Sequence, residues 1–542
     1  MYFGQGAKPL TAARTANEGG SVLSISRVFG FIGSLVVLRV IVKLGGFGEK
    51  VVLAHYFELD TALDAFTAAV SVPMMFFFTV SGIATPTILP MFVRRLRSDD
   101  QSRAWSQWHA WLLVLFVFLC VAASLSFLFV ERLAWILAPG FDEERHALCV
   151  TMLRVMIPLS VVMGLHPIFT IALNAQRRFL FRPASELVLK VATIVAVIAF
   201  ASKSGISAAA WGTVAGALLS LLVCTMGILP TWRRNGTSPR FRDPEFKTVS
   251  WLMMAPMLGA VASRLGNVVE TAASSTLAPG SVAALSFAWK VVNMPLLIIP
   301  LASGTVLFTL FAEMNQRGEH ECAGRMLATG TRAMLFIFVP LTVFTCVLSR
   351  PIVAFVYERG AFDVESTAHV AMILFWLAPV MCALSIEALL TGHFFSRADV
   401  WPPVLLGIAG VALRCFLIVV CIQPWGLAGL ALAIVTSRFA KVLALIVLVA
   451  IRGKVSVDQF KISQILRFSG GAFIAGIAVY CFDKAVGTCM DTSCAFRMAL
   501  LAAAGVGGTL VYLGFAYLFG SEECQYVVSS IQQRVLRQRR SV

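Results

Sequence analysis

The stretch "VKLGGFGEKVVLAHYF", residues 42–57, contains the conflict that organises the whole chain. It continues the apolar run Phe29 to Ile41 and leads into another apolar stretch, yet it carries Lys43, Glu49, Lys50 and His55. A helix needs about 20 mostly apolar residues to cross a bilayer, and a lysine at its centre costs roughly 2.5–3.5 kcal/mol. Charges retained at that cost face a bundle interior or a watery cavity and are paired. Lys43 and Lys50 are two helical turns apart and share one stripe, with Glu49 beside Lys50 and able to offset part of their charge. Gly45, Gly46 and Gly48 thin the helix there, admitting a close neighbour or a bend.

The rest of the chain has the same character. Of its 542 residues, 58% are hydrophobic and 13% charged, against roughly 45–50% and about 25% in soluble domains. Fourteen windows are long and apolar enough to span, from 28–54 to 497–519, which predicts an all-α polytopic membrane protein. The first of them is too long for a signal peptide's apolar region and is read as a retained helix. The net charge of +16 is distributed over alternate loops. Arg94, Arg95 and Arg97 follow the second span, Arg177, Arg178 and Arg182 the fourth, and Arg233 and Arg234 the sixth. Arg452, Lys454 and Lys461 follow the twelfth, and Arg534, Arg537, Arg539 and Arg540 close the chain. The intervening loops, such as "FELD" (57–60) and "GFDEE" (140–144), are poor in basic residues. By the positive-inside rule both termini are cytoplasmic, so the charge orients the protein and implies no nucleic-acid partner. No GxxxxGK[ST] loop provides for ATP, and the histidines lack metal-ligand spacing. The cysteines lie mostly inside spans and read as small packing residues; Cys489 and Cys494 share a predicted outer loop, where a disulfide stays open.

An internal repeat appears at an offset of about 221 residues. "APGFDEE" (138–144) pairs with "RGAFDVE" (359–365), and "GISAAAWGTV" (205–214) with "GLAGLALAIV" (426–435). Pro73 and Gly82 recur as Pro295 and Gly304. "KLGGFGE" (43–49) pairs with "RLGNVVE" (264–270), each a cation, Leu-Gly, and a glutamate six residues after the cation. Six spans separate the copies, so they run parallel. The expected architecture is a cytoplasmic segment (1–27), two six-helix lobes (28–248 and 249–455), a helix pair (456–520) and a basic tail (521–542). Transporters built from repeats bind substrate between the repeats near the midplane. Spans 1 and 7 are therefore expected to face one central cavity, lined by Lys43, Lys50, Arg264 and Lys290, with Glu49 and Glu270 as charge partners. A mainly cationic cavity suits an anionic, phosphate-bearing substrate. Arg414, Arg438 and Lys441 lie in spans 11 and 12 with no role assigned.

Several segments resemble the MurJ/MviN lipid II flippase family of the multidrug/oligosaccharidyl-lipid/polysaccharide exporter superfamily. They are "VKLGGFGEKVVLA" (42–54) with "DAF" (64–66), "GSVAALSFAWKVVNMPL" (280–296), "FVYERGAFD" (355–363) and "FFSRADVWPPV" (394–404). The resemblance covers nearly the whole chain. It implies a transporter rather than an enzyme, moving lipid II between leaflets of the bacterial inner membrane by alternating access. Central basic residues would take the pyrophosphate, a groove at spans 13 and 14 the lipid tail, and membrane potential or an ion gradient, with no cofactor and no ATP, would supply the energy. Membrane lipids and cell-wall synthesis proteins are the implied partners. The chain departs from the family at Lys43 and Lys290, where arginines are usual, at Glu49, where the charge is reversed, and at Phe76 and Phe77, near a missing arginine. Arg264 stands where the family has glutamine. An exporter of another lipid-linked oligosaccharide, or a transport-inactive cell-wall scaffold, are the alternatives these departures raise.

Overall fold

The computed structural model describes residues 25–96, 101–235, 238–239, 241, 250–251, 253–397, 399–452, 461–487, 494–521 and 524–525. Cys489 and the arginines of the basic tail fall outside the described residues. All elements among the described residues are helices. The first group is α1 (Ile25–Tyr56), α2 (Thr61–Leu96), α3 (Gln101–Leu128), α4 (Val130–Leu137), α5 (Glu143–Met156), α6 (Leu159–Ala175), α7 (Phe181–Ser204) and α8 (Ser207–Asn235). The second is α9 (Met254–Ser275), α10 (Ser281–Gln316), α11 (His320–Val347), α12 (Ser349–Tyr357), α13 (Val364–Leu377), α14 (Val380–Ser396) and α15 (Trp401–Ile451), followed by α16 (Ile462–Gly487) and α17 (Cys494–Leu518).

Eight of these helices are long and apolar enough to cross a membrane, or ten if each bent pair forms one span. Fourteen is compatible with this result. α15 holds two of the expected windows, joined across Gly426, and α1, α9 and α10, which carry the candidate charges, are not among the ten. Side chains such as Phe118, Val419, Phe473 and Leu518 stand exposed, as on a surface that meets lipid.

The helix order of the first group recurs in the second, and local chemistry explains why. α5 bends into α6 at Pro158 by 43°, and α13 bends into α14 at Pro379 by 43°. Proline cannot donate to the preceding turn, so each helix breaks there. Asp142 caps α5 by accepting from the Arg145 N–H, and Asp363 caps α13 by accepting from the Ser366 N–H. Gly205, at the end of α7, and Gly426, in the middle of α15, share the same left-handed backbone, with φ of 55° and 51°. A side chain at either would be strained. Packing follows the same plan, with α1 lying along α7 and α9 along α15. Between the groups the contacts are crosswise: α1 meets α10, and α9 meets α2. The carboxy-terminal helices α16 and α17 pack on each other and on α11, where Phe336 meets Phe468 and Tyr512.

At one end of the bundle the two groups are sealed by backbone contacts. The Asp64 carboxylate, at the start of α2, accepts from the Gly280 N–H at 2.8 Å and the Ala283 N–H at 2.7 Å. It thereby caps α10 from across the interface, where the helix dipole favours a negative charge. The Gly140 N–H donates to Ser275 Oγ at 3.1 Å, and the Ala361 N–H to the His55 carbonyl at 2.9 Å. Gly360 (φ 65°) lies so close to the His55 carbonyl that a Cβ would strike it. These loops are the ones predicted to be outer. Replacing Asp64 by alanine removes two charge-assisted bonds, each worth about 1.5–3 kcal/mol. The seal is then expected to open in a measurable fraction of molecules, read as longer distances between spin labels at the exposed Glu58 and Arg359. Unchanged distances would show that the Asp64 cap does not hold this end.

Candidate functional site

Most of the predicted charges gather around the middle of α1, though not with the partners expected. Glu49 is buried and paired with Lys190 of α7, whose Nζ lies 2.7 Å from its carboxylate. Lys50 reaches the second group and stands 5.1 Å over the ring of Phe287 on α10, a ring that stacks on Tyr357. Lys290, also on α10, comes the other way. Its Nζ lies 3.1 Å from where a Gly46 side chain would begin, and Lys190 Cε lies 3.9 Å from the same point. Gly46 therefore admits one cation from each group, which is why α1 needs a thin face here. α1 stays helical through all three glycines, so they serve close approach rather than a bend. The charges of Lys190, Glu49, Lys50 and Lys43 all act on the Lys290 ammonium, Lys43 from an exposed position on α1. Three ammonium groups, those of Lys190, Lys50 and Lys290, thus share the Glu49 carboxylate.

Arg264 and Glu270 behave differently from the matching stretch of α1. The Arg264 guanidinium lies 5.2 Å over the ring of Phe78, on α2. A cation of the second group thus covers the phenylalanine run of α2, beside the place where the family resemblance marks a missing arginine. Glu270 does not pair with Arg264. It is buried against Arg414 of α15 and bound by its Nη1. The two glutamates of the repeat therefore do the same thing, each taking a cation from the fifth span of its own group.

Lys190 was the residue to find in the sequence, whereas Arg414 stood out there without a role. Both stand in apolar runs, and the rule that singled out Lys43 applies to Lys190 equally. What the sequence did not show is which carboxylate each would meet. Arg438 and Lys441, in the second arm of α15, bind Glu387 of α14 at 3.2 and 2.6 Å. The carboxylates of this region are thus neutralised from within the protein.

Such a constellation can hold a diphosphate. The lysines are point charges with three donors each, so they bind without the planar two-pronged fit of arginine. Among the described residues no group of histidine, cysteine and carboxylate side chains is placed to hold a metal ion.

Known proteins resemble the chain in sequence and in fold. The sequence profile described as "Lipid II flippase MurJ" matches residues 53–499. A probable lipid II flippase MurJ of Rhizobium meliloti (strain 1021) is 24% identical over 518 residues, covering 93% of both chains. The lipid II flippase MurJ of Burkholderia cenocepacia is 23% identical and covers 88% of this chain and 95% of its own. Among solved structures, a lipid II flippase MurJ in an inward closed conformation superposes with a TM-score of 0.75 at 19% identity, covering 90% of this chain and 98% of that one. An inward-facing multidrug resistance MATE transporter gives a TM-score of 0.62 at 11% identity, covering 77% of this chain and 98% of that one. With most of its length matched by that profile, the chain belongs to the lipid II flippase MurJ family, as a multi-pass membrane transporter rather than an enzyme.

Proposed function

We propose that the protein carries lipid II from the cytoplasmic to the outer leaflet, and that the lysine cluster around α1 takes its diphosphate. The observation that carries this reading is the meeting of Lys190 and Lys290 over Gly46. One belongs to the first group of helices and the other to the second, so an anion held by both binds at the junction that alternating access must open and close. A diphosphate diester carries one negative charge on each phosphate, which suits an excess of ammonium groups. The two lobes are residues 28–248 and 249–455, both termini are cytoplasmic, and the seal around Asp64 closes the outer side. Membrane potential or an ion gradient drives the cycle, since no nucleotide motif is present.

Glu49 has a definite part in this scheme. Its carboxylate already neutralises Lys190, so it acts as an internal anion that the substrate must outcompete. Replacing Glu49 by glutamine is expected to tighten binding of lipid II by about 10-fold, the effect of removing roughly 1.4 kcal/mol of competition. Turnover should fall if release becomes limiting. Titration of the purified protein with lipid II measures the first, and a leaflet-accessibility assay the second. Weaker binding in the variant would reject the competing role.

The proposed activity itself is tested by rescue of a strain depleted of its lipid II flippase. Rescue by this chain, and its loss in Lys290→Gln at normal membrane levels, is the expected result. No rescue by the unaltered chain would turn the substrate towards another lipid-linked oligosaccharide.

A further inference from the structure

The second group of helices contains a charge imbalance that the transport site does not use. Arg414 binds Glu270, while Arg438 and Lys441 share Glu387. Three cations meet two carboxylates, and all five side chains are 26% exposed or less. One positive charge is left over among membrane helices, where an ion without a counter-charge is unfavourable.

The packing of α15 leaves room for what is missing. Gly407 and Gly410 face Lys441, whose Nζ lies 3.4 Å from the first position and whose Cβ lies 3.6 Å from the second, measured to where their side chains would begin. Beside them is a cavity of about 20 Å³ lined by the two glycines, Val411, Arg414, Ser437, Arg438 and Lys441. A cavity of roughly 10–15 Å³ already admits one water-sized species. Nε of Arg414, which is buried at 3% exposure, has no hydrogen-bond partner among the described residues. Ser437 donates its hydroxyl proton to the Ile434 carbonyl. The lining supplies cations and N–H groups and no carboxylate, so it repels a metal ion, and a lone water would leave the charge unbalanced.

We propose that this cavity, between the two arms of α15, binds one small monovalent anion, chloride or an ion of its size, as a counter-charge. The inference is independent of which lipid the protein moves.

Thermal unfolding of the protein in nanodiscs tests it, with chloride replaced by gluconate at constant sodium and ionic strength. Gluconate is too large for the cavity, so the unaltered protein is expected to melt about 2 °C or more lower without chloride. Bromide should restore the midpoint. Lys441→Gln removes the surplus charge while Arg438 still holds Glu387, and this variant should melt alike in both salts. Gly410→Ala fills the cavity without touching a charge, and should also lose the chloride effect. A midpoint of the unaltered protein that ignores chloride overturns the proposal. So does a chloride shift of full size in whichever of the two variants folds.

Discussion

A chain carrying both Lys190→Gln and Lys290→Gln is expected to leave lipid II on the cytoplasmic side, with no rescue of a flippase-depleted strain. A hydrogen bond to a charged group is worth about 1.5–3 kcal/mol, so losing one ammonium lowers substrate affinity by about 10- to 100-fold. Two such losses from opposite lobes act on one ligand and, taken as additive in free energy, bring the total to about 100- to 10,000-fold. The check is outer-leaflet lipid II, measured by its cleavage with an added toxin. A fall in transport from Lys190→Gln alone would be ambiguous, because it also leaves Glu49 buried without its partner. The pair Lys190→Gln with Glu49→Gln separates the two effects. Its unfolding midpoint should return to that of the unaltered protein while transport stays low. Transport restored together with stability would make Lys190 a structural residue and leave Lys290 as the cation of the site.

The sequence showed the parts of this site and not its wiring. Lys43, Lys50 and Lys290 stood out because a charge inside an apolar run needs a reason, and that rule does not depend on tertiary structure. The repeat was equally legible, since Asp142 with Asp363 and Gly205 with Gly426 each act on their own local backbone, although the pairing of Pro158 with Pro379 emerged only from the bent helices. Pairing was different. Glu49 sits one residue from Lys50 and six from Lys43, yet it binds Lys190, more than a hundred residues away. Neighbours on one helix point to different sides, so the partner is set by how α1 lies on α7, which no local pattern records. The Asp64 cap of α10 was hidden for the same reason. As an acidic residue in the first turn of α2 it reads as an ordinary helix start, and its service to a second helix appears only when the lobes meet.

Arg414→Met is expected to cause the largest loss of stability among single replacements of the buried ion pairs described. Arg414 is 3% and Glu270 6% exposed, and neither has water to fall back on. Breaking a buried pair from one side costs about 3–5 kcal/mol, because the remaining charge is stranded. The fold has made room for this guanidinium at Gly266 of α9, where a side chain would overlap its Nη2. Gly266→Ala should therefore destabilise as well, by pushing the guanidinium from its carboxylate. The double replacement Glu270→Leu with Arg414→Met is expected to recover most of the loss, since an apolar pair of similar volume needs no hydration and packs against Val411. Heating the purified variants and following the monodisperse fraction gives the order. If Arg414→Met loses less than about 1 kcal/mol, Glu270 takes its proton or finds another cation, and the pair does not hold α9 on α15. If the double variant is stable but does not transport, the pair serves the working cycle rather than the fold, placing α9 where Arg264 can cover the ring of Phe78.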